Sequence, residues 1–341
     1  MFRGMKCGRL VVAGVALIGF AAAGCSDGTE REPDRAPELV GLRGHDLFVN
    51  GHPAAQRQAV AWEAEGRVED ARLLRQIADR PLAVWLSDSP EPARAQALDV
   101  VTRAHESGQM PVLVAYNVPA RDCDGYSAGG TESDQQYREW INAVAEGLGD
   151  RPATLILEPD AVAHALDGCL DDDGRSRLEL LRWAVGVLKA SGSVRVYLDA
   201  GNPGWIRDVP ALADALRTAG IDEADGFALN VSNFVSTAEN IEYGTRLSAA
   251  LGGTPFVIDT SRNGNGPYGS GDYDGAPAWC NPPGRALGQP PTTVDTGSDL
   301  VDALLWIKIP GESDGACRPG EPPAGTWWLD YALGLARNAT S

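Results

Sequence analysis

Seven short apolar runs recur along the chain: PLAVWLS (81–87), MPVLVAYN (110–117), TLILEP (154–159), VRVYLD (194–199), GFALNVS (226–232), PFVIDTS (255–261) and ALLWIKI (303–309). They are rich in Val, Ile, Leu and aromatics and alternate little between polar and apolar, as strands buried on both faces do. Between them apolar residues return at helical spacing. EPARAQALDVVTRAHESG and RSRLELLRWAVGVLKASG are two such stretches, and each closes on glycine. Strand–helix repetition predicts βαβ units and a parallel sheet. The expected fold is α/β, a distorted, TIM-like (β/α) barrel of about seven parallel strands. An open doubly wound sheet is the competing arrangement. No glycine-rich phosphate loop follows the first run, which disfavours its nucleotide-binding versions. The stretch 262–299, rich in Gly, Pro and Asn, breaks the rhythm and reads as a long functional loop.

Polar residues follow the apolar runs at one end. Tyr116, Asn117, Arg121 and Asp122 come after the second run, and Glu158 and Asp160 after the third. Asp199 ends the fourth; Asn230, Ser232 and Asn233 follow the fifth. Asp259, Arg262 and Asn263 come with the sixth, and Lys308, Glu312 and Asp314 with the seventh. In a parallel barrel all strand C-termini share one face, so these side chains are expected to converge. Singly, each has a plainer reading. Asp160 suits the N-cap of the helix begun by AVAHAL, Asp122 a turn or a pair with Arg121, and Asp199 an Asx-turn before Gly201. Pro159 is expected to bias Glu158 toward an extended backbone, leaving Glu158 structural and Asp160 aimed at the cleft. Trp85, Trp205 and Trp279 fall near the same end, where indole faces suit sugar rings. Trp183 and Trp306 read as core.

The N-terminus changes the domain picture. Arg3, Lys6 and Arg9 precede the apolar segment LVVAGVALIGFAAAG, which ends at Cys25 in AAGC. That segment is too short for a confident membrane span. Residues 1–25 resemble a bacterial lipoprotein signal with Cys25 as the lipidated residue; an ordinary secretory signal is the alternative. Residues 26–40 read as a polar tether, and 41–341 as one catalytic domain. An exported chain is therefore expected, at the cell surface or secreted, touching the membrane only through a lipid at Cys25.

The remaining composition, 43% hydrophobic and 22% charged over 341 residues, is that of a globular protein. A formal net charge of −18, without any Lys/Arg run, argues against nucleic-acid binding. Setting aside Cys7 and Cys25, the six cysteines leave Cys123, Cys169, Cys280 and Cys317. In an oxidising compartment these suggest two disulfides, with three pairings open. Four histidines without HExxH or Cys/His spacing disfavour a metal centre, and the lack of GxSxG disfavours a serine hydrolase. No cofactor is implied. Carboxylate chemistry on a neutral, hydroxylated polymer remains, and glycoside hydrolysis uses that equipment.

YNVPARDC, LILEPD, YLDAGNPGW, IDTSRNGNGP, WCNPPGRALG and WIKIPGESDGAC, in that order, resemble glycoside hydrolase family 6, whose members include inverting cellulases on a distorted barrel. The similarity spans about residues 44 to 341. It implies that Asp160 is the general acid and that Asp122 keeps Asp160 protonated and relays a proton from the attacking water. It implies that Asp314 is a further carboxylate near the scissile sugar, acting as base or charge stabiliser, and that Asp199 completes the acidic group. Tyr116 would press on the distorted ring, Lys308 and Glu312 would hold sugar hydroxyls, and Trp85, Trp205 and Trp279 would line subsites. The pairings Cys123–Cys169 and Cys280–Cys317 follow from the same resemblance. Two positions depart from the pattern. Ala128 stands where a water-holding serine is usual, with Ser127 adjacent, and Asn202 stands where many members carry histidine. Asn202 is expected to hydrogen-bond a sugar hydroxyl, and Asn233 is assigned to substrate binding beside it.

The segments between each pair of cysteines are short. Exo-acting members of the family that the chain resembles carry longer insertions there, so the resemblance implies an open cleft and internal cleavage of β-1,4-glucan; a monomer is expected. The alternatives to internal cleavage are an exo-acting cellobiohydrolase of the same family and a non-catalytic glucan-binding surface lipoprotein.

Overall fold

The computed structural model describes residues 41–269 and 271–339, so the signal segment, Cys25 and the whole of the tether lie outside the described residues. Seven strands form one parallel sheet: β1 (Val84–Leu86), β2 (Val112–Ala115), β3 (Ala153–Leu157), β4 (Val194–Asp199), β5 (Gly226–Leu229), β6 (Phe256–Asp259) and β9 (Val301–Leu305). They pair in that order. The sheet curls into the expected distorted barrel, with β1 and β9 as its two edges. No ladder joins those edges among the described residues. The seam is spanned instead by Ala83 N–H to Trp306 O at 3.1 Å and by the Trp85 indole N–H to Ile307 O at 2.8 Å.

Successive strand residues face opposite sides. Val112, Val114, Ile156, Tyr197, Ala228, Val257 and Leu305 fill the barrel interior. Their neighbours Leu113, Leu155, Leu157, Leu198, Phe227, Leu229 and Ile258 pack outward into a layer with the helices. Both sets are buried, which is why the runs show no alternation. Trimming one such side chain, Ile156→Ala for instance, costs about 2–5 kcal/mol.

The helices around the sheet are α1 (Pro53–Ala64), α2 (Val68–Ala78), α3 (Pro90–Ser107), α4 (Asp134–Leu148), α5 (Ala161–Asp167), α6 (Arg175–Lys189), α7 (Val209–Thr218), α8 (Thr237–Ala250) and α9 (Leu329–Asn338). Their ends follow local chemistry. Gly108 stops α3 in the left-handed conformation, and Ser236 with Glu239 forms a reciprocal capping box at α8. A separate apolar cluster, with Trp62, Leu74, Ile77, Trp306 and Leu333, packs α1 and α2 against α9.

The last strand differs from expectation. It spans 301–305, not 303–309. The Asp259 carboxylate accepts the amides of Ile307 and Lys308 at 3.3 and 3.0 Å, which takes them out of the ladder. The long stretch 262–299 carries one small hairpin, β7 (Asp272–Tyr273) with β8 (Ala276–Pro277). The disulfides are Cys123–Cys169 and Cys280–Cys317. The first ties the loop after β2 to the end of α5, and the second ties the long loop to the segment after β9. Among the described residues no helix is long and apolar enough to cross a membrane.

Candidate active site

A cleft of about 1290 Å³ opens at the C-terminal ends of the strands. Trp85, Tyr116, Asp122, Asp160, Asn202, Trp205, Asn233, Trp279, Lys308, Glu312 and Asp314 all line it. Asp199 does not.

The strand-end carboxylates divide into two kinds. Glu158, Asp199 and Asp259 are fully buried and serve as clamps. Glu158 accepts the amides of Asn117 and Val118, both at the exit of β2. Asp199 accepts the amide of Asp160 at 2.9 Å and that of Gly201 at 3.1 Å. Asp259 accepts Ser232, Ser261, Ile307 and Lys308. Each carboxylate thus holds the exit of a neighbouring strand, satisfying amides that the ladder leaves behind. Burial pushes the Glu158 carboxyl up to about 7, against the pull of those amides. Asp199 is raised by burial and by the nearby Asp160 charge.

Asp122, Asp160 and Asp314 are the carboxylates that reach the cleft. Asp160 occupies the N-cap position of α5, yet its side chain makes no capping hydrogen bond. Its backbone is left-handed, φ 71° and ψ −19°, which turns the carboxylate away from the helix amides. Glu158 is left-handed as well, with φ 48°, and not extended as the following proline suggested. The amides of residues 117 and 118 take the Glu158 carboxylate and the Asp199 carboxylate takes the Asp160 amide, so tertiary contacts override the local bias. The Glu158 and Asp160 side chains leave in different directions, one into the core and one into the cleft.

Burial raises Asp160 to about 6; the adjacent Asp122 carboxylate adds to the rise while His164 opposes it. Asp122 lies in the loop after β2, where Ala120, Asp122, Cys123 and Asp124 all have positive φ. Its Oδ2 accepts the Ser127 amide at 2.7 Å and the Ser127 hydroxyl at 2.8 Å. Burial would raise Asp122, but bonds from His164 and Ser127 leave it below the usual range. The Tyr116 hydroxyl lies 2.9 Å from Ser127 Oγ. With the Ser127 proton given to Asp122, Tyr116 is the donor in that contact. The Tyr116 ring is held between the Trp85 edge, 5.2 Å between centroids, and the Arg121 guanidinium at 4.6 Å.

Asp314 sits in a cationic frame. Its Oδ2 is 2.9 Å from Arg262 Nη1 and accepts the Asn281 amide at 3.1 Å, and Lys308 Nζ is 3.5 Å from its Oδ1. Burial would raise its carboxyl, but Arg262 and Lys308 bring it below the ordinary value. Lys308 also donates to Ser313 O at 3.0 Å. Glu312 faces His52 at 3.5 Å. The Asn202 carboxamide oxygen accepts the Gly204 amide, and that of Asn233 accepts the Phe234 amide, so part of each side chain is used locally. Trp279, 45% exposed, meets Tyr126 edge-on with centroids 6.1 Å apart.

The sequence profile of the glycosyl hydrolases family 6 matches residues 42–339. The chain belongs to glycosyl hydrolase family 6. Within that family it is 46% identical over 281 residues to endoglucanase A of Cellulomonas fimi, covering 82% of this chain and 59% of that protein. It is 41% identical to endoglucanase 1 of Streptomyces halstedii, covering 80% of this chain and 83% of that protein. Among solved structures it resembles the endoglucanase Cel6 of Mycobacterium tuberculosis, in complex with methyl-cellobiosyl-4-deoxy-4-thio-β-D-cellobioside. That likeness has a TM-score of 0.79 at 43% identity and covers 87% of this chain and 98% of that one.

Several site residues escaped sequence reasoning. His164 sits with one donor atom each of Asp122 and Asp160 inside a group no wider than 4.8 Å. Its position four residues after Asp160 was the available signal, because i and i+4 share a helix face. Arg262, fully buried against Asp314, and Asn281 left no local pattern.

Proposed function

We propose that this family 6 chain is an inverting endo-β-1,4-glucanase. The observation carrying this reading is the uncapped, upshifted Asp160 carboxyl beside an ionised Asp122 in a cleft lined by three tryptophans. Asp160 protonates the glycosidic oxygen. Asp122 disfavours the charged form of Asp160, because two adjacent carboxyls do not both ionise cheaply. In inversion a water attacks the opposite face of the ring, and its proton must leave through a basic group. Asp122, with Ser127 and Tyr116 behind it, offers a proton path. Asp314 stays anionic within its cations and faces the positive charge that grows on the sugar. Asp199 acts from below, by fixing the Asp160 backbone. Trp85, Trp205 and Trp279 take sugar faces, and Tyr116, Asn202, Asn233, Lys308 and Glu312 meet the ring and hydroxyls of the bound chain. The names of the relatives support internal cleavage over the exo-acting alternative.

The same reading includes export, lipid attachment at Cys25 and a monomeric state, with residues 26–40 as tether before the domain at 41–341. The test is a panel of purified polysaccharides followed by reducing ends and viscosity together, with product anomers read by NMR. An early fall in viscosity of soluble β-1,4-glucan with α-anomer appearing first is expected. Processive release of cellobiose at near-constant viscosity would sink the endo assignment, and first-formed β-anomer would sink inversion. Detergent partitioning of the expressed chain against its Cys25→Ser variant tests the anchor, and light scattering tests the monomer.

A further inference from the structure

His164 does not belong to the hydrolytic set that the family resemblance supplies, yet it is built into it. The imidazole is mostly buried. Its Nδ1 lies 3.1 Å from Asp167 Oδ2 and its Nε2 lies 3.7 Å from Asp122 Oδ1. The Trp205 ring meets it edge to face, with centroids 4.9 Å apart, and so fixes its plane. Helix α5 aims it, since the His164 amide bonds to the Asp160 carbonyl at 2.8 Å. One ring therefore touches the helix that begins at Asp160, the loop that carries Asp122 and the tryptophan that lines the cleft.

Charged groups approach the ring from several elements. Asp122 comes from the loop after β2, Asp160 from the end of β3, Asp167 from α5 itself and Asp199 from the end of β4. The packed helices bring no cation to oppose them. Arg177 of α6 is turned to the Pro119 carbonyl and toward Glu158. On α7, Asp214 and Arg217 pair with each other, and Asp208 caps its own helix. His164 thus faces four carboxyls, and of the cations around the cleft it is the one that meets Asp122, while Lys308 acts on Asp160 from the far side of the barrel seam.

We infer that His164 is a positioning residue of the reaction proposed above: clamped between Asp167 and Asp122, its imidazolium lets Asp122 remain a carboxylate against Asp160 and fixes where that carboxylate points. Burial alone would lower its own affinity for a proton, but Asp122, Asp160 and Asp167 together raise it. The consequence for pH is signed. A positive charge here favours the ionised form of both Asp122 and Asp160. Activity needs Asp122 ionised, on the acid limb, and Asp160 protonated, on the alkaline limb. Removing the charge raises both, so the whole bell moves to higher pH.

The inference rests on the glucanase reading, and the experiment separates the two. His164→Gln is expected to move both limbs of the kcat/KM profile upward by about one pH unit, the scale of an opposite charge at this range. Its kcat should fall roughly tenfold at the wild-type optimum while KM changes less than about twofold. A loss of equal size at every pH overturns the inference, because a purely structural role predicts that. Histidine-labelled NMR supplies a readout without turnover. The chain has four histidines, so the His164 signal is assigned by elimination, as the one that persists when His45, His52 and His105 are each replaced by Gln in turn. Its titration midpoint should drop by about one pH unit in Asp122→Asn. An unmoved midpoint overturns the inference, even where His164→Gln fails to fold. A wild-type chain that shows the coupling but cleaves no β-1,4-glucan overturns the functional reading instead.

Discussion

Ser127 donates its hydroxyl to Asp122 Oδ2 across 2.8 Å, one residue before the position where the family resemblance places a serine. The backbone explains the shift. Positive φ at Asp122, Cys123 and Asp124 coils the loop tightly enough for the Ser127 amide to reach the same oxygen. Ala128 therefore costs the site no hydroxyl. Ser127→Ala is expected to lower kcat by roughly 10- to 100-fold, the worth of one hydrogen bond to a charged group. Ala128→Ser in that background should restore little, because the Tyr116 and Asp122 contacts belong to residue 127. Steady-state kinetics on a soluble glucan decides it, and full rescue by Ala128→Ser would contradict this geometry.

In the proposed reaction, Asp160→Asn removes the proton that is delivered to the leaving oxygen. On unactivated glucan kcat should drop by about 10²- to 10⁴-fold, the usual range for losing general acid catalysis. On a cellooligosaccharide bearing a dinitrophenolate leaving group the drop should be much smaller, since that group departs unaided. Equal losses on both substrates would move the role of acid elsewhere. Near pH 4, where the folded chain holds Asp160 protonated, the thermal midpoint should stay close to wild type, because the Asp160 side chain caps nothing.

The number of strands and their parallel, barrel-like class were legible in the sequence because both strand faces are buried, which leaves unbroken apolar runs such as TLILEP separated by helical patterns. The cleft carboxylates were legible as a group, because a parallel barrel sends every strand end to one face. The division among the acids was legible for Glu158 and Asp160, one expected to be structural and the other to face the cleft, and was not for Asp199. Asp199 looks like a catalytic candidate on the page, but like Glu158 and Asp259 it holds amides of neighbouring exits, a relation between segments 41, 39 and 48 residues apart for Glu158, Asp199 and Asp259. Arg262 was invisible as the partner of Asp314 for the same reason, the two standing 52 positions apart in the chain. His164 was hidden by an ordinary reading as one polar residue in an apolar helix. Local pattern reports which side faces the core; it does not report which distant charge waits there.

The Arg262–Asp314 pair is closed off from water, with side-chain exposures of 0% and 5%. Removing one partner of such a pair leaves an uncompensated buried charge, at a cost of about 3–5 kcal/mol. Arg262→Met is expected to destabilise by that order in urea unfolding and to draw the Asp314 carboxyl upward. Lys308 at 3.5 Å compensates only in part. The double variant Arg262→Met/Asp314→Leu should be less destabilised than the sum of the two single variants. Strict additivity would mean that the two residues do not act as a pair.

Stability should depend on pH in a direction set by the buried carboxyls. Glu158 has a native value of about 7 against an ordinary 4.5, so between those limits the folded chain holds a proton that the unfolded chain has released. Its contribution is full below about pH 4.5 and is lost as pH rises through about 7, at most roughly 3 kcal/mol. Asp160 and Asp199 are raised too and act with the same sign. Asp122 and Asp314 are lowered and act oppositely, losing their contribution as pH falls below the ordinary aspartate range. The protein should therefore be most stable in mildly acidic solution, with its thermal midpoint declining toward pH 8. Glu158→Gln cannot ionise, and its amide oxygen still accepts from Asn117 and Val118. It should be less stable than wild type near pH 4.5, through the awkward fit of its NH₂ group, and should close that gap as pH rises. Calorimetry from pH 4 to 8 on both proteins checks this, and parallel stability curves would show that Glu158 keeps the same charge in the folded and unfolded chain.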